Sequence, residues 1–113
     1  MADCVFCKII AGEIPSNKIY EDETVYAFYD IQPEAPVHFL VVPKQHISGP
    51  SAVHEDNCAV VGHIYAVISH LAQELGLSNG YRVVTNCGND GGQTVPHLHF
   101  HVLGGRSLAW PPG

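Results

Sequence analysis

The chain has 113 residues and a mass of 12.2 kDa, which bounds it at one domain, 1–113, with short termini. With 46% apolar and only 14% charged residues, it is not a disordered or heavily solvated chain. A net charge of −6, with five Lys plus Arg scattered at Lys8, Lys18, Lys44, Arg82 and Arg106, argues against nucleic acid as a partner, because a polyphosphate backbone needs a basic face.

Residues 4–10 read as a short helix with Asp3 as N-cap and Gly12 as its stop. Strands are expected at 18–20 and 25–29, around the turn Glu21-Asp22-Glu23. A third strand, 38–42, ends at Pro43. Between 56 and 75 the apolar positions Val60, Ile64, Val67, Ile68, Leu71 and Leu75 fall at helical spacing, and Gly76 stops the helix. Strands at 81–86 and 98–103 complete the set. Four of the five strands can pair through short connections, so the expected fold is α+β. It has an antiparallel sheet of about five strands, one long helix on a face and a short N-terminal helix. An exposed edge is left free to meet a second copy.

The apolar stretch 59–75 is broken by Gly62, His63, Ser69, His70 and Gln73, which excludes a membrane-spanning helix. Met1-Ala2-Asp3-Cys4 lacks the basic start and apolar core of a signal peptide, so the cytoplasm is the expected compartment.

Eight histidines are the anomaly of the composition. In a strand, alternate side chains share a face, which sets His97, His99 and His101 in a polar row at about 7 Å intervals. Leu98, Phe100 and Val102 then enter the core and fix the register. A solvated face has no reason to use three histidines at period two beside a glycine-rich turn. Two chemistries remain. Two or three of these side chains hold a catalytic zinc, or one neutral imidazole is a nucleophile that its neighbours orient. The preceding loop, Asn86 to Thr94, carries Gly88, Gly91 and Gly92, whose backbone freedom suits a nest of N–H groups around an anion. Gln93 and Thr94 add side-chain donors, so the loop reads as a phosphate pocket beside the histidine row.

The string His97-Leu98-His99-Phe100-His101-Val102-Leu103 resembles the signature of the histidine triad (HIT) superfamily. The likeness spans almost the whole chain, through Phe6-Cys7-Lys8-Ile9-Ile10, Ala27-Phe28-Tyr29-Asp30-Ile31, His38-Phe39-Leu40-Val41-Val42-Pro43-Lys44 and Asp90-Gly91-Gly92-Gln93. Its ending, Trp110-Pro111-Pro112-Gly113, is similar to that of the histidine triad nucleotide-binding branch, which are purine nucleoside phosphoramidases. The resemblance implies a HIT-like fold and a nucleotidyl-histidine intermediate on His99. It implies that His101 contacts the phosphate oxygens, and that His38 belongs to the hydrogen-bonded set fixing the nucleophile's tautomer. Asp30 is implied to accept the ribose hydroxyls. The resemblance also implies that Phe6, Ile9, Phe28 and Ile31 form the purine slot and that Asn86, Gly92 and Thr94 surround the phosphate and leaving group. The branch often has Ser where Thr94 stands, and the extra methyl narrows the room for the leaving amine.

Cys4, Cys7, Cys58 and Cys87 are not expected to form disulfides in the cytoplasm. Cys4-x-x-Cys7 alone reads as half a metal site or a redox pair. The resemblance to bacterial relatives implies a structural zinc on Cys4, Cys7, His46 and His97, a closed tetrahedral set. The tail 106–113 is apolar and proline-stiffened, and its tryptophan is expected to dock rather than stay in water. The resemblance places Trp110 near the partner's active site in a homodimer. Against the phosphoramidase reading stand a nucleotide-sensing or protein-binding module, a catalytic-zinc hydrolase and a dinucleoside polyphosphate hydrolase. The Trp-Pro-Pro-Gly ending argues against the last.

Overall fold

The computed structural model describes residues 3–113. The elements follow in the order α1 (Val5–Ile10), β1 (Lys18–Glu21), β2 (Val25–Tyr29), β3 (Val37–Pro43), a 3₁₀ turn (Pro50–Ala52), α2 (Ala59–Glu74), β4 (Tyr81–Val84) and β5 (Phe100–Gly104). The fold is α+β, with one five-stranded antiparallel sheet in the order β1-β2-β3-β5-β4. Three strands form a meander through short turns. β4 and β5 pair across the long loop 85–99, and α2 carries the chain from the meander to β4.

β2 and β3 are buried on nearly every residue, because both faces of the sheet centre are covered. Val25, Ala27, Phe39, Val41, Phe100 and Val102 point to the α2 face and pack with Ile64, Val67, Ile68 and Leu71. The intervening residues Tyr26, Phe28, Leu40 and Val42 point to the other face and pack beneath Cys4, Phe6 and Ile9 of the α1 segment. The amphipathic pattern of α2 matches its packing: Ile64 and Ile68 are fully enclosed, while Tyr65, Ser69 and Gln73 face water. Gly76, at φ +74, ends that helix in the left-handed conformation expected of a glycine stop.

Two boundaries differ from the sequence reading. Helix α1 is capped by Cys4, whose Sγ accepts the Cys7 N–H at 3.4 Å, while Asp3 lies outside it and exposed. The thiol is drawn inward by burial and does the work assigned to an aspartate. The last strand begins at Phe100, so His97, Leu98 and His99 precede its ladder. Leu98 is nevertheless buried, its N–H donating to the Ile47 carbonyl at 2.6 Å.

Ile68 anchors α2 on the sheet, so Ile68→Ala should cost about 2–5 kcal/mol of stability. Gln73→Ala on the wet face should stay within about 0.5 kcal/mol. Urea unfolding of the two variants checks the assignment; comparable losses would refute it.

Candidate functional site

The α1 side of the sheet carries four of the eight histidines. β3 contributes His38, and β5 with the residues before it contributes His97, His99 and His101. In the antiparallel register Leu40 opposes His101, which places His38 diagonally across from His101 on the same face. Phe6 of α1 packs edge-on against His97 at 5.8 Å and against His99 at 5.0 Å between ring centroids. His99 and His101 lie 5.1 Å apart.

The hydrogen bonds fix the protons. His99 Nδ1 lies 2.6 Å from the His97 carbonyl oxygen, which can only accept. His99 therefore donates from Nδ1 and keeps a lone pair on Nε2. His38 Nδ1 accepts the Glu34 N–H at 3.1 Å, which puts the proton of neutral His38 on Nε2. That proton is donated to His101 Nδ1 at 2.9 Å, leaving neutral His101 with its N–H on Nε2. His38 thus sets the tautomer of His101; the tautomer of His99 is set by a main-chain carbonyl. Burial, together with the neighbouring His99 and His38 rings, pushes the His101 imidazole down to about 4, and the nearby Asp30 only partly offsets this.

These rings border a cavity of about 390 Å³. Phe6, Ile9, Phe28, Asp30, Ile31, Thr94, His99 and His101 all line it. One wall is apolar, and Asp30 stands at the rim with Oδ1 accepting the Gln32 N–H at 2.8 Å and Oδ2 3.4 Å from His38 Nε2. Val5, Ile14, Leu40 and Val95 also line it without having been singled out as site residues from the sequence. Leu40 was legible there, since it shares the His38 face two residues along the strand. Val5 and Val95 join only through the packing of α1 and the loop 85–99.

Asn86, Gly92 and Trp110 lie outside this lining. Three amides of the loop are spent within it rather than offered to an anion. Gly92 N–H donates to Asn89 O at 3.1 Å, Gln93 N–H to Gly88 O at 3.0 Å, and Gly88 N–H to Gln93 Oε1 at 3.0 Å. Gln93 is a brace rather than an anion donor, its Nε2 donating to Ser48 O at 2.8 Å and Val95 O at 3.0 Å. A Cβ on Gly49 would stand 2.9 Å from that nitrogen. Trp110 is 80% exposed and does not dock on its own chain; the tail is tied down before it, where Arg106 Nη2 donates to the Glu34 carbonyl at 2.9 Å and Arg82 donates to the Ala109 carbonyl at 2.8 Å.

A second cluster adjoins the cavity. Cys4 Sγ is 3.2 Å and Cys7 Sγ 3.6 Å from His97 Nδ1, and Cys7 Sγ is 3.3 Å from His46 Nδ1. All four donor atoms lie within 4.8 Å of one another. Edges of about 3.3–3.8 Å are what tetrahedral bonds of 2.0–2.3 Å to nitrogen and sulfur require. His97 Nε2 donates to the Pro43 carbonyl at 2.9 Å, which frees Nδ1 as a ligand. Burial raises the Cys7 thiol, with Cys4 beside it adding to the shift, and burial lowers His97. Two thiols and two imidazoles at these separations fit a metal ion, and Cys4, Cys7, His46 and His97 are the residues that could hold it. Asp30, His38 and His101 also converge, but His38 presents an N–H rather than a lone pair to that cluster. The triad therefore does not act as one metal site: His97 faces the cysteines, while His99 and His101 face the cavity. Cys58 and Cys87 are free and exposed. Among the described residues no helix is long and apolar enough to cross a membrane.

A HIT domain model matches residues 11–108. An uncharacterised HIT-like protein of Synechococcus elongatus is 51% identical over 111 residues, covering 98% of this chain and 97% of that protein. The crystal structure of a HIT family hydrolase from Legionella pneumophila superposes with a TM-score of 0.96 at 46% identity, covering 98% of this chain and all of the other. A histidine triad nucleotide-binding protein from Candida albicans gives a TM-score of 0.82 at 37% identity, over 96% of this chain and 83% of that one.

Because the His101 value lies below the ordinary 6.5, its ring should stay neutral in the folded protein until the pH approaches about 4. The unfolded chain takes up that proton first. Stability from His101 is therefore complete above pH 6.5 and declines as the pH falls towards 4. An NMR titration of the His101 ring, paired with unfolding of wild type and His101→Gln across this window, checks both. A midpoint near 6.5 would contradict the burial argument.

Proposed function

The chain belongs to the HIT domain family, and from that premise we propose that it hydrolyses purine nucleoside 5′-phosphoramidates, such as adenosine 5′-monophosphoramidate, to nucleoside monophosphate and amine. The tautomer pair at the cavity carries this reading: a lone pair on His99 Nε2 beside an N–H on His101 Nε2, a nucleophile next to a donor. The hydrolase name of the Legionella protein and the nucleotide-binding name of the Candida protein support the reaction class and the ligand.

The purine enters the apolar slot of Phe6, Ile9, Phe28 and Ile31, and the ribose hydroxyls donate to Asp30 Oδ2, since Oδ1 already holds the Gln32 amide. His99 Nε2 attacks phosphorus as the phosphorus–nitrogen bond breaks, and the leaving nitrogen takes a proton from solvent to depart as the amine. The covalent step divides one hard displacement into two easier ones. The His97 carbonyl, bound to His99 Nδ1–H, steadies the imidazolium that forms. His101 Nε2–H meets the phosphate oxygens as charge shifts onto them, and His38 keeps that proton in place. The Thr94 hydroxyl is the donor beside the leaving group. Water then breaks the phosphorus–His99 bond; its oxygen stays on phosphorus and a proton goes to solvent.

In the same reading, Cys4, Cys7, His46 and His97 hold a structural zinc, which when bound supplies a cross-link between α1 and the segment before β5. The protein works as a homodimer in the cytoplasm. The exposure of Trp110 and the unpaired outer edge of β4 support a second copy, which covers the tail.

Adenosine 5′-phosphoramidate hydrolysis should fall by about three orders of magnitude or more in His99→Ala, with the fold kept. Equal turnover in the two proteins removes His99 as nucleophile, and none in either removes the substrate class. Purified protein should carry one zinc per chain, and stripping it should lower Tm by about 10 °C or more. A chelator-treated sample with an unchanged Tm would argue against the structural role.

A further inference from the structure

We infer that Ser16 reads the edge of the base farthest from the sugar, donating a hydrogen bond from a hydroxyl that Tyr26 orients. The inference rests on the reading of the apolar slot as a purine site with the ribose at Asp30. Ser16 lines the same cavity, and no step of the reaction uses it. The face of β2 that turns to α1 carries Tyr26 and Phe28, and Asp30 continues the alternation just past its end. The three therefore follow one another at steps of about 7 Å. The Tyr26 and Phe28 rings lie 5.9 Å apart between centroids, and Ser16 Oγ is 2.8 Å from the Tyr26 hydroxyl. With the ribose at Asp30 and the ring system against Phe28, the next step along the row meets the edge opposite the glycosidic bond. On adenine that edge carries N1, an acceptor, beside the 6-amino group.

Burial decides which of the two hydroxyls donates to the other. Tyr26 is buried in a cluster with Phe28, Leu40 and Val42, and among the described residues its hydroxyl meets no acceptor but Ser16 Oγ. A phenol is also more acidic than an aliphatic hydroxyl, and so the better donor. Tyr26 therefore donates. Ser16, only half-buried, accepts with one lone pair and keeps its own proton for the cavity. Ile14, Pro15 and Phe28 beside it offer apolar side chains, so a base edge entering there exchanges water for this one hydroxyl. A ring nitrogen with a lone pair satisfies it; a C–H in the same place leaves it unpaired.

The test compares adenosine 5′-phosphoramidate with its 1-deaza analogue, in which C–H replaces N1. Wild type should show a KM about five- to tenfold higher for the analogue at nearly equal kcat, the effect of one hydrogen bond. Ser16→Ala combined with Tyr26→Phe leaves no buried phenol unpaired. It should raise KM for the parent substrate by the same factor and no longer distinguish the two. Tyr26→Phe alone keeps the ring and lets the serine hydroxyl turn, so part of the discrimination should go; a wild-type ratio there overturns the orienting role of Tyr26. A wild type indifferent to N1 overturns the inference, as does a double variant that still prefers the parent substrate. Should the double variant not fold, Ser16→Ala alone gives the same comparison. Titration calorimetry with adenosine 5′-monophosphate and its 1-deaza analogue needs no turnover. A preference that depends on Ser16, without hydrolysis, removes the phosphoramidase reading and keeps this one; no binding of either nucleotide removes both.

Discussion

The alternation of side chains along β2, β3 and β5 governs everything else in the molecule. Because the period is two, every second residue is committed to the α2 face, where Ala27, Phe39, Val41, Phe100 and Val102 make the larger core. The residues between them have no choice but to face α1. His38 and His101 are aligned with one another by that commitment, since a slip of one residue would drive both imidazoles into the core and expose Phe39 and Val102. The chemistry of the site is in this sense the reverse side of a packing problem.

The acidic balance of the chain sets a second condition. With five Lys plus Arg in 113 residues, a phosphate cannot rely on a cluster of fixed cations. What the cavity presents instead includes the imidazole of His101, held neutral by burial and by the neighbouring rings. A neutral ring can be both lone-pair nucleophile and N–H donor according to where its proton sits. The structure assigns those positions through carbonyl and amide groups that cannot change sign.

Much of this was legible from the residues. Strand and helix positions followed from periodicity and turn residues. The four-ligand cluster and most of the slot followed from the family likeness. The departures share a cause: they depend on where main-chain groups point. Nothing in the string Asn86 to Thr94 reveals that the amides of Gly88, Gly92 and Gln93 are spent within the loop. Nothing in Asp3-Cys4 reveals that the thiol caps the helix, because ordinary capping preference favours the aspartate. The tautomer assignments likewise required the carbonyls of His97 and Pro43 and the amide of Glu34.

The amide of Gln93 joins the carbonyls of Ser48 and Val95 and the amide of Gly88, and it fits only because residue 49 has no side chain. The loop after β3, which carries His46, and the loop that carries Thr94 are thereby joined at one point. Neither is free to drift in sequence by itself: a larger residue at 49 would evict the glutamine, and a shorter side chain at 93 would leave three main-chain groups in search of partners. Over evolutionary time the two positions should change together or not at all, and a Gly49→Ala variant should tolerate Gln93→Asn better than either change alone would suggest.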